Sequence, residues 1–192
     1  MSEPLQVKGF AWLNLLHYVR EKWGVDTFKE LARNFPADAR HFELETVLPI
    51  AWVPGALHIA ALEWLVKHRH EGTLANAQTV GRGLAERNLA GTFRSLTRLE
   101  DLKLALTSTE RAFGQFYSLG KMKIALAGEL LDAQLTDFPN PTPIFGNVLG
   151  AGMVAFLRAG HVDATLTTVV VGPSSIAYQV KVTLPAQAKA AV

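Results

Sequence analysis

The residues able to do chemistry are scattered along the chain, and their spacing decides what they can do together. Histidine occurs as His17, His41, His58, His68, His70 and His161. A zinc site needs about three or four convergent ligands, commonly with a pair one helical turn apart. No His-x3-His occurs, and His68 and His70 point to different faces of a helix. No metal site is expected, and the histidines read as solvated or core side chains. The chain has no cysteine, which excludes disulfides, thiol catalysis and cysteine-ligated zinc or iron–sulfur centres. Ser95, Ser108, Ser118, Ser174 and Ser175 stand in no Gly-x-Ser-x-Gly elbow. The carboxylates Glu43/Glu45, Glu100/Asp101 and Asp132/Asp137 single out no acid–base pair, although such pairs also assemble from distant positions. Gly81-Arg-Gly83 looks like half a phosphate loop. It sits inside a helical pattern with no strand before it, so close helix packing is the better reading. No catalytic residue is assigned.

Aromatic side chains remain. Trp64, Phe113, Phe116, Tyr117 and Phe156 are the candidates to line an apolar ligand pocket. The competing reading of such a stripe is plain core.

The elements that must position these residues follow from periodicity. Trp12, Leu16, Val19 and Trp23 form one stripe of a helix spanning residues 7–23, closed by Gly24 as a left-handed cap. Asp26 is a candidate N-cap for a short helix through Asn34, with Phe28 and Leu31 on its buried side and Pro36 as its stop. Residues 37–45 read as a connector, and prolines make Val47 to Pro54 extended. Gly55 to His68 is a strong helix with Leu57, Ala61, Trp64, Leu65 and His68 on one face. Gly72 breaks it, and Leu74 to Leu96 carries another helical pattern. Thr97/Glu100 and Thr107/Glu110 are two capping-box patterns. Residues 98–117 are therefore one helix or two, with Leu99, Leu102, Leu106, Thr109, Phe113 and Phe116 in a shared three–four rhythm ended by Gly120.

The period then changes. Residues 121–127 and 130–137 read as strands about a turn at Gly128-Glu129. A proline-rich connector leads to an apolar helix over 144–159, with Gly160 at its C-cap. Its Gly146 and Gly150 are four residues apart, which suits close packing on the sheet more than on a partner subunit. Val162, Ala164, Leu166, Thr168 and Val170 alternate with polar neighbours. Ile176, Tyr178, Val180, Val182 and Leu184 do the same after the turn at 172–175, giving a hairpin with one wet face.

The bulk numbers agree with an ordinary globular chain. It has 192 residues, 49% of them hydrophobic, and a formal net charge of +2. That charge is too small to point to nucleic acid. Pro49, Pro54, His58 and Glu63 interrupt the most apolar stretch, so no membrane span is expected. With no secretory signal and no cysteine, the expected compartment is the cytoplasm.

Two stretches carry a resemblance. Residues 7–24, VKGFAWLNLLHYVREKWG, resemble the opening helix of a superfamily that contains haem-NO-binding domains, vinyl-reductase-type domains and the TRAPP vesicle-tethering subunits. Residues 137–160, DFPNPTPIFGNVLGAGMVAFLRAG, with the hairpin after them, resemble the end of those domains. The whole chain is most similar to a group of uncharacterised myxobacterial proteins of about this size. The resemblance implies an α/β domain that binds a small molecule or a partner, often as a dimer. Haem-binding members place a proximal histidine in the central helices and carry a Tyr-x-Ser-x-Arg signature. This chain has no histidine between His70 and His161, and its Phe116-Tyr-Ser-Leu-Gly-Lys121 is not that signature. The final hairpin, Val171-Gly-Pro-Ser-Ser-Ile-Ala-Tyr178, lacks the cysteines that vinyl-reductase-type domains often carry there. The acylated cysteine of some vesicle-tethering subunits is missing too.

The expected fold is mixed α/β of the α+β kind. N-terminal helices pack on a small C-terminal antiparallel sheet, with one helix inserted between two hairpins. A single domain is expected over residues 1–192, with 185–192 as a frayed tail. The expected function is a non-enzymatic sensory or scaffolding domain, self-associating as a homodimer, that binds a small apolar ligand or a protein partner and uses no cofactor. The alternatives are a small-molecule enzyme with an unidentified acid or base, and a haem-based gas sensor using His58 or His17.

Overall fold

The computed structural model describes residues 3–35, 47–91, 93–94 and 102–183. In chain order its elements are β1 (Gln6–Lys8), α1 (Gly9–Arg33), β2 (Trp52–Pro54), α2 (Gly55–Arg69), α3 (Leu74–Ala90), α4 (Leu102–Phe116), β3 (Lys121–Ala127), β4 (Leu130–Thr136), α5 (Pro143–Ala159), β5 (Asp163–Val171) and β6 (Ile176–Thr183). Several expectations fall outside the described residues: Pro36 as a helix stop, the connector at 37–45 with His41, Glu43 and Glu45, the Thr97/Glu100 box with Leu99, and the tail at 185–192.

The architecture is the expected α+β arrangement. The sheet runs in the order β3-β4-β6-β5, antiparallel throughout, and α5 is inserted between its two hairpins. Thr142 caps α5 by accepting a hydrogen bond from the Phe145 N–H at 3.2 Å, and Pro143 presets the first turn. The helix lies on the sheet through its glycines. A Cβ on Gly150 would stand 2.9 Å from the Tyr178 ring and 3.0 Å from Leu166, closer than a side chain tolerates. Apolar packing is continuous from the helices to the sheet, through Trp12, Leu16, Leu65, Phe138, Phe145, Leu157 and Val180.

The helical layer is tied at its start by a short ribbon. Residues 7 and 8 belong to β1 rather than to the first helix. Val7 pairs with Val53 of β2 and bridges to Tyr117 at the end of α4. Periodicity alone had extended the helix backward, but these tertiary partners take Val7's backbone groups first. The break expected at Gly24 is present as a kink inside α1, with φ 83° and ψ 176°. Beyond it Thr27 and Leu31 are buried and Phe28 partly so. The Glu30 carboxylate accepts from Arg69 at 2.5 Å, which ties this limb to the end of α2.

Four other details depart from expectation. First, α3 ends at Ala90 with Gly91 as its cap, short of Leu96. Second, α4 runs through Thr107 without a break, and Glu110 does not act as a capping residue there. Its carboxylate instead accepts from the Ile124 N–H at 2.6 Å, occupying a backbone donor of the sheet's edge strand β3. Third, Gly160 stays at φ −84°, and His161 takes the left-handed conformation at φ 62°. Fourth, the alternation of β5 fails halfway. A bulge between Leu166 and Thr168 shifts the register, so Val169 and Val171 turn toward α5 and Val170 is 59% exposed. A period-two reading does not see one extra residue.

Candidate functional site: a small cavity between the helices

The site begins where α3 crosses α5. Gly81 has so little room that a Cβ there would lie 2.1 Å from the Val148 carbonyl oxygen, so the two backbones are in direct contact. The Gly-Arg-Gly segment is therefore packing: Gly81 meets α5, and Gly83 meets the ring of Tyr18. On one side of this crossing lies a cavity of about 100 Å³. Each helix gives it one face. From α3 come Gly81, Leu84, Ala85 and Asn88, and from α4 and its end Thr109, Ala112, Phe113, Phe116 and Tyr117. From α5 come Phe145, Val148, Leu149, Gly152, Met153 and Phe156. All three sets follow the i, i+3, i+4, i+7 spacing of one helical stripe. Ala11 and Asn14 of α1, His58 and Leu62 of α2, and Met122 of β3 complete the wall.

Four of the five aromatic candidates thus meet in one place. Phe116 stacks on Phe93 with centroids 5.3 Å apart, and Phe93 meets Phe156 edge-on at 5.6 Å. Phe113 and Tyr117 are 5.3 Å apart, and Tyr117 meets Phe145 edge-on at 5.7 Å. Trp64 is elsewhere. It is buried on α2, stacked on His68 at 4.7 Å, and does not line the cavity.

The polar groups of the wall are few. Asn14 is satisfied, donating to the Leu84 carbonyl at 3.0 Å and accepting from Arg87 Nε at 2.9 Å, which ties α1 to α3. His58 is 5% exposed, and burial in apolar surroundings pushes its pKa down to about 4, so the ring is neutral at physiological pH. Its Nδ1 lies 3.4 Å from the Tyr117 hydroxyl, at the long limit of a hydrogen bond. Burial also pushes the Tyr117 hydroxyl up, so it stays protonated. Asn88 is 8% exposed, and its carboxamide has no hydrogen-bond partner among the described residues. Among the described residues, no Asp, Glu, Lys or Arg lines the cavity. None of its titratable groups has a pKa near 7, where general acid–base catalysis works best. The arrangement suits retention of a small uncharged molecule.

Sequence reasoning named His58 only as a candidate haem ligand and passed over Asn14 and Asn88. A signal for Asn88 existed, because it continues the stripe of Gly81, Leu84 and Ala85 into a helical face that is otherwise apolar.

No protein-family model matches the sequence, and no curated protein matches it. Solved structures do resemble it in fold. The Fe(II) unliganded H-NOX protein from K. algicida superposes with a TM-score of 0.68 at 10% identity, covering 93% of this chain and 98% of that one. An H-NOX protein from S. oneidensis in the Fe(II)NO ligation state gives 0.57 at 10% identity, covering 92% and 99%. At such identities the likeness establishes the fold alone. It supports the haem-NO-binding branch of the resemblance and adds nothing for the vinyl-reductase-type and vesicle-tethering branches.

Proposed function

We propose that this chain is a sensory domain on the H-NOX fold that binds a small, uncharged, largely apolar molecule directly in the cavity between α3, α4 and α5. The supporting observation is that cavity: about 100 Å³, walled mainly by aromatic and aliphatic groups, with no charged side chain among the described residues of its lining. An apolar cavity of about 150 Å³ is enough for benzene, so a space of this size suits a compact ligand of a few heavy atoms. The test is thermal unfolding in the presence of cyclopentanol or 2-butanone, compared with butyrate and butylammonium. A ligand at ten times its Kd stabilises by about 1.4 kcal/mol, which raises Tm by roughly 3–6 °C for a chain of this size. Stabilisation by the uncharged compounds alone supports the proposal. No stabilisation, or equal stabilisation by the ions, refutes it.

A second reading, a haem-based gas sensor, is favoured by the fold and by His58, whose neutral buried imidazole keeps a lone pair for a metal. The cavity does not fit the group. Sites for ligands of even drug size enclose roughly 300–1,000 Å³, no cation among the described residues lines this wall to meet the propionates, and the α3–α5 backbone contact closes the space between those helices. Haemin titration decides. A stoichiometric Soret band lost in His58→Ala favours the haem reading, and unchanged free-haemin absorption removes it.

A further inference from the structure

The cavity wall is mainly apolar, and its few polar groups differ in how far the protein itself satisfies them. Asn88 is the least satisfied. It sits on α3 in line with Gly81, Leu84 and Ala85, is more than nine-tenths buried, faces the cavity, and its carboxamide has no partner among the described residues. Its side chain opens onto the cavity, so its donors and its acceptor are available to a molecule held there. His58, across the cavity on α2, is also more than nine-tenths buried, and its Nε2 makes no hydrogen bond among the described residues. An apolar wall with one unmatched carboxamide is the pattern by which a pocket orients a mostly apolar ligand.

We propose that the ligand carries one hydroxyl or carbonyl on a compact apolar body, and that Asn88 is the residue that recognises this oxygen. This rests on the reading of the cavity as a ligand site and adds the chemical class. The body fills the space between Phe113, Phe116, Val148 and Met153. The oxygen meets the Asn88 carboxamide, which offers both donors and an acceptor. Ionic ligands are disfavoured, because no charged group among the described residues of the lining would offset their desolvation.

The test uses a matched pair of probes, cyclopentanol and cyclopentane, with Kd values measured from methyl chemical shifts in the full chain and in Asn88→Leu. Leucine has nearly the shape of asparagine and only removes the polar group. The ratio of cyclopentanol to cyclopentane affinity should fall by about tenfold or more in Asn88→Leu. An unchanged ratio overturns the assignment while leaving the cavity as a hydrocarbon site. Failure of both probes to bind the unmodified chain overturns the ligand-site reading beneath it. Should Asn88→Leu not fold, the side-chain amide resonances of Asn88 in the unmodified chain give the answer. They should move with cyclopentanol and stay in place with cyclopentane, and equal movement with both overturns the assignment.

Discussion

Replacing Gly81 with alanine tests the contact that bounds the cavity. In an unstrained helix interior, Gly→Ala stabilises by about 1 kcal/mol. At Gly81 the new Cβ would lie 2.1 Å from the Val148 carbonyl oxygen, about 0.9 Å inside the 3.0 Å that real Cβ atoms respect. The obstacle is backbone and cannot rotate away, so the overpacking penalty sits near the upper end of the usual range, about 3 kcal/mol. The net expectation is a loss of about 2 kcal/mol, or a Tm lower by roughly 4–8 °C. Gly114 supplies the control. It lies in α4, exposed, with nothing within 4 Å of its would-be Cβ. Gly114→Ala should therefore gain about 1 kcal/mol. Urea unfolding followed by tryptophan fluorescence reads both variants against the parent. If Gly81→Ala is as stabilising as Gly114→Ala, the α3–α5 backbone contact is absent and the argument that this space is closed to a macrocycle collapses.

Other outcomes follow from the same geometry. His58 titrates near 4 in the folded chain and near 6.5 when unfolded, so the unfolded state binds the extra proton and stability falls as pH drops through that window. Between pH 7 and 4 the parent should lose roughly 3 kcal/mol more than His58→Gln, measured by urea unfolding at each pH; equal losses would contradict the burial of this ring. Tyr18, Tyr117 and Tyr178 all have hydroxyls pushed above the usual range by burial. Tyrosinate absorbance should thus develop above pH 10 and track unfolding, whereas a reversible titration at pH 10 in folded protein would refute it. Phe113→Ala should cost about 3–5 kcal/mol, seen in urea midpoints, because the ring is 5% exposed. The bulge in β5 predicts that Val170→Lys changes stability by less than about 0.5 kcal/mol while Val169→Lys destabilises clearly. The reverse order would restore the unbroken alternation.

Much of the fold was legible because local and tertiary preferences agree along most of the chain. Gly24, Gly72, Gly120 and Gly128 stand at the expected breaks, each with positive φ. The spacing of Gly146 and Gly150 announced a helix lying close on a sheet. Where a tertiary partner outbid the local pattern, sequence reasoning failed. Val7 is claimed by β2 and Tyr117, and Glu110 by the edge strand, although both fit a helical rhythm. One inserted residue reversed the facing of Val170. For the site, the helical stripe brought Phe113, Phe116, Tyr117 and Phe156 to one cavity. Trp64 shares their chemistry but belongs to a face of α2 that packs elsewhere. Asn88 was hidden, and His58 noticed only as a candidate haem ligand, because a lone polar residue in an apolar helix reads the same whether it faces a neighbour or a void.

The central claim is that the cavity is a real, ligand-sized space with an apolar wall. Methyl-labelled protein titrated with dissolved xenon tests it most directly. With label on leucine, valine and methionine methyls, the account predicts saturable shifts confined to Leu62, Leu84, Met122, Val148, Leu149 and Met153, the residues of those types in the wall. Shifts scattered over the surface, or none at these positions, would contradict it.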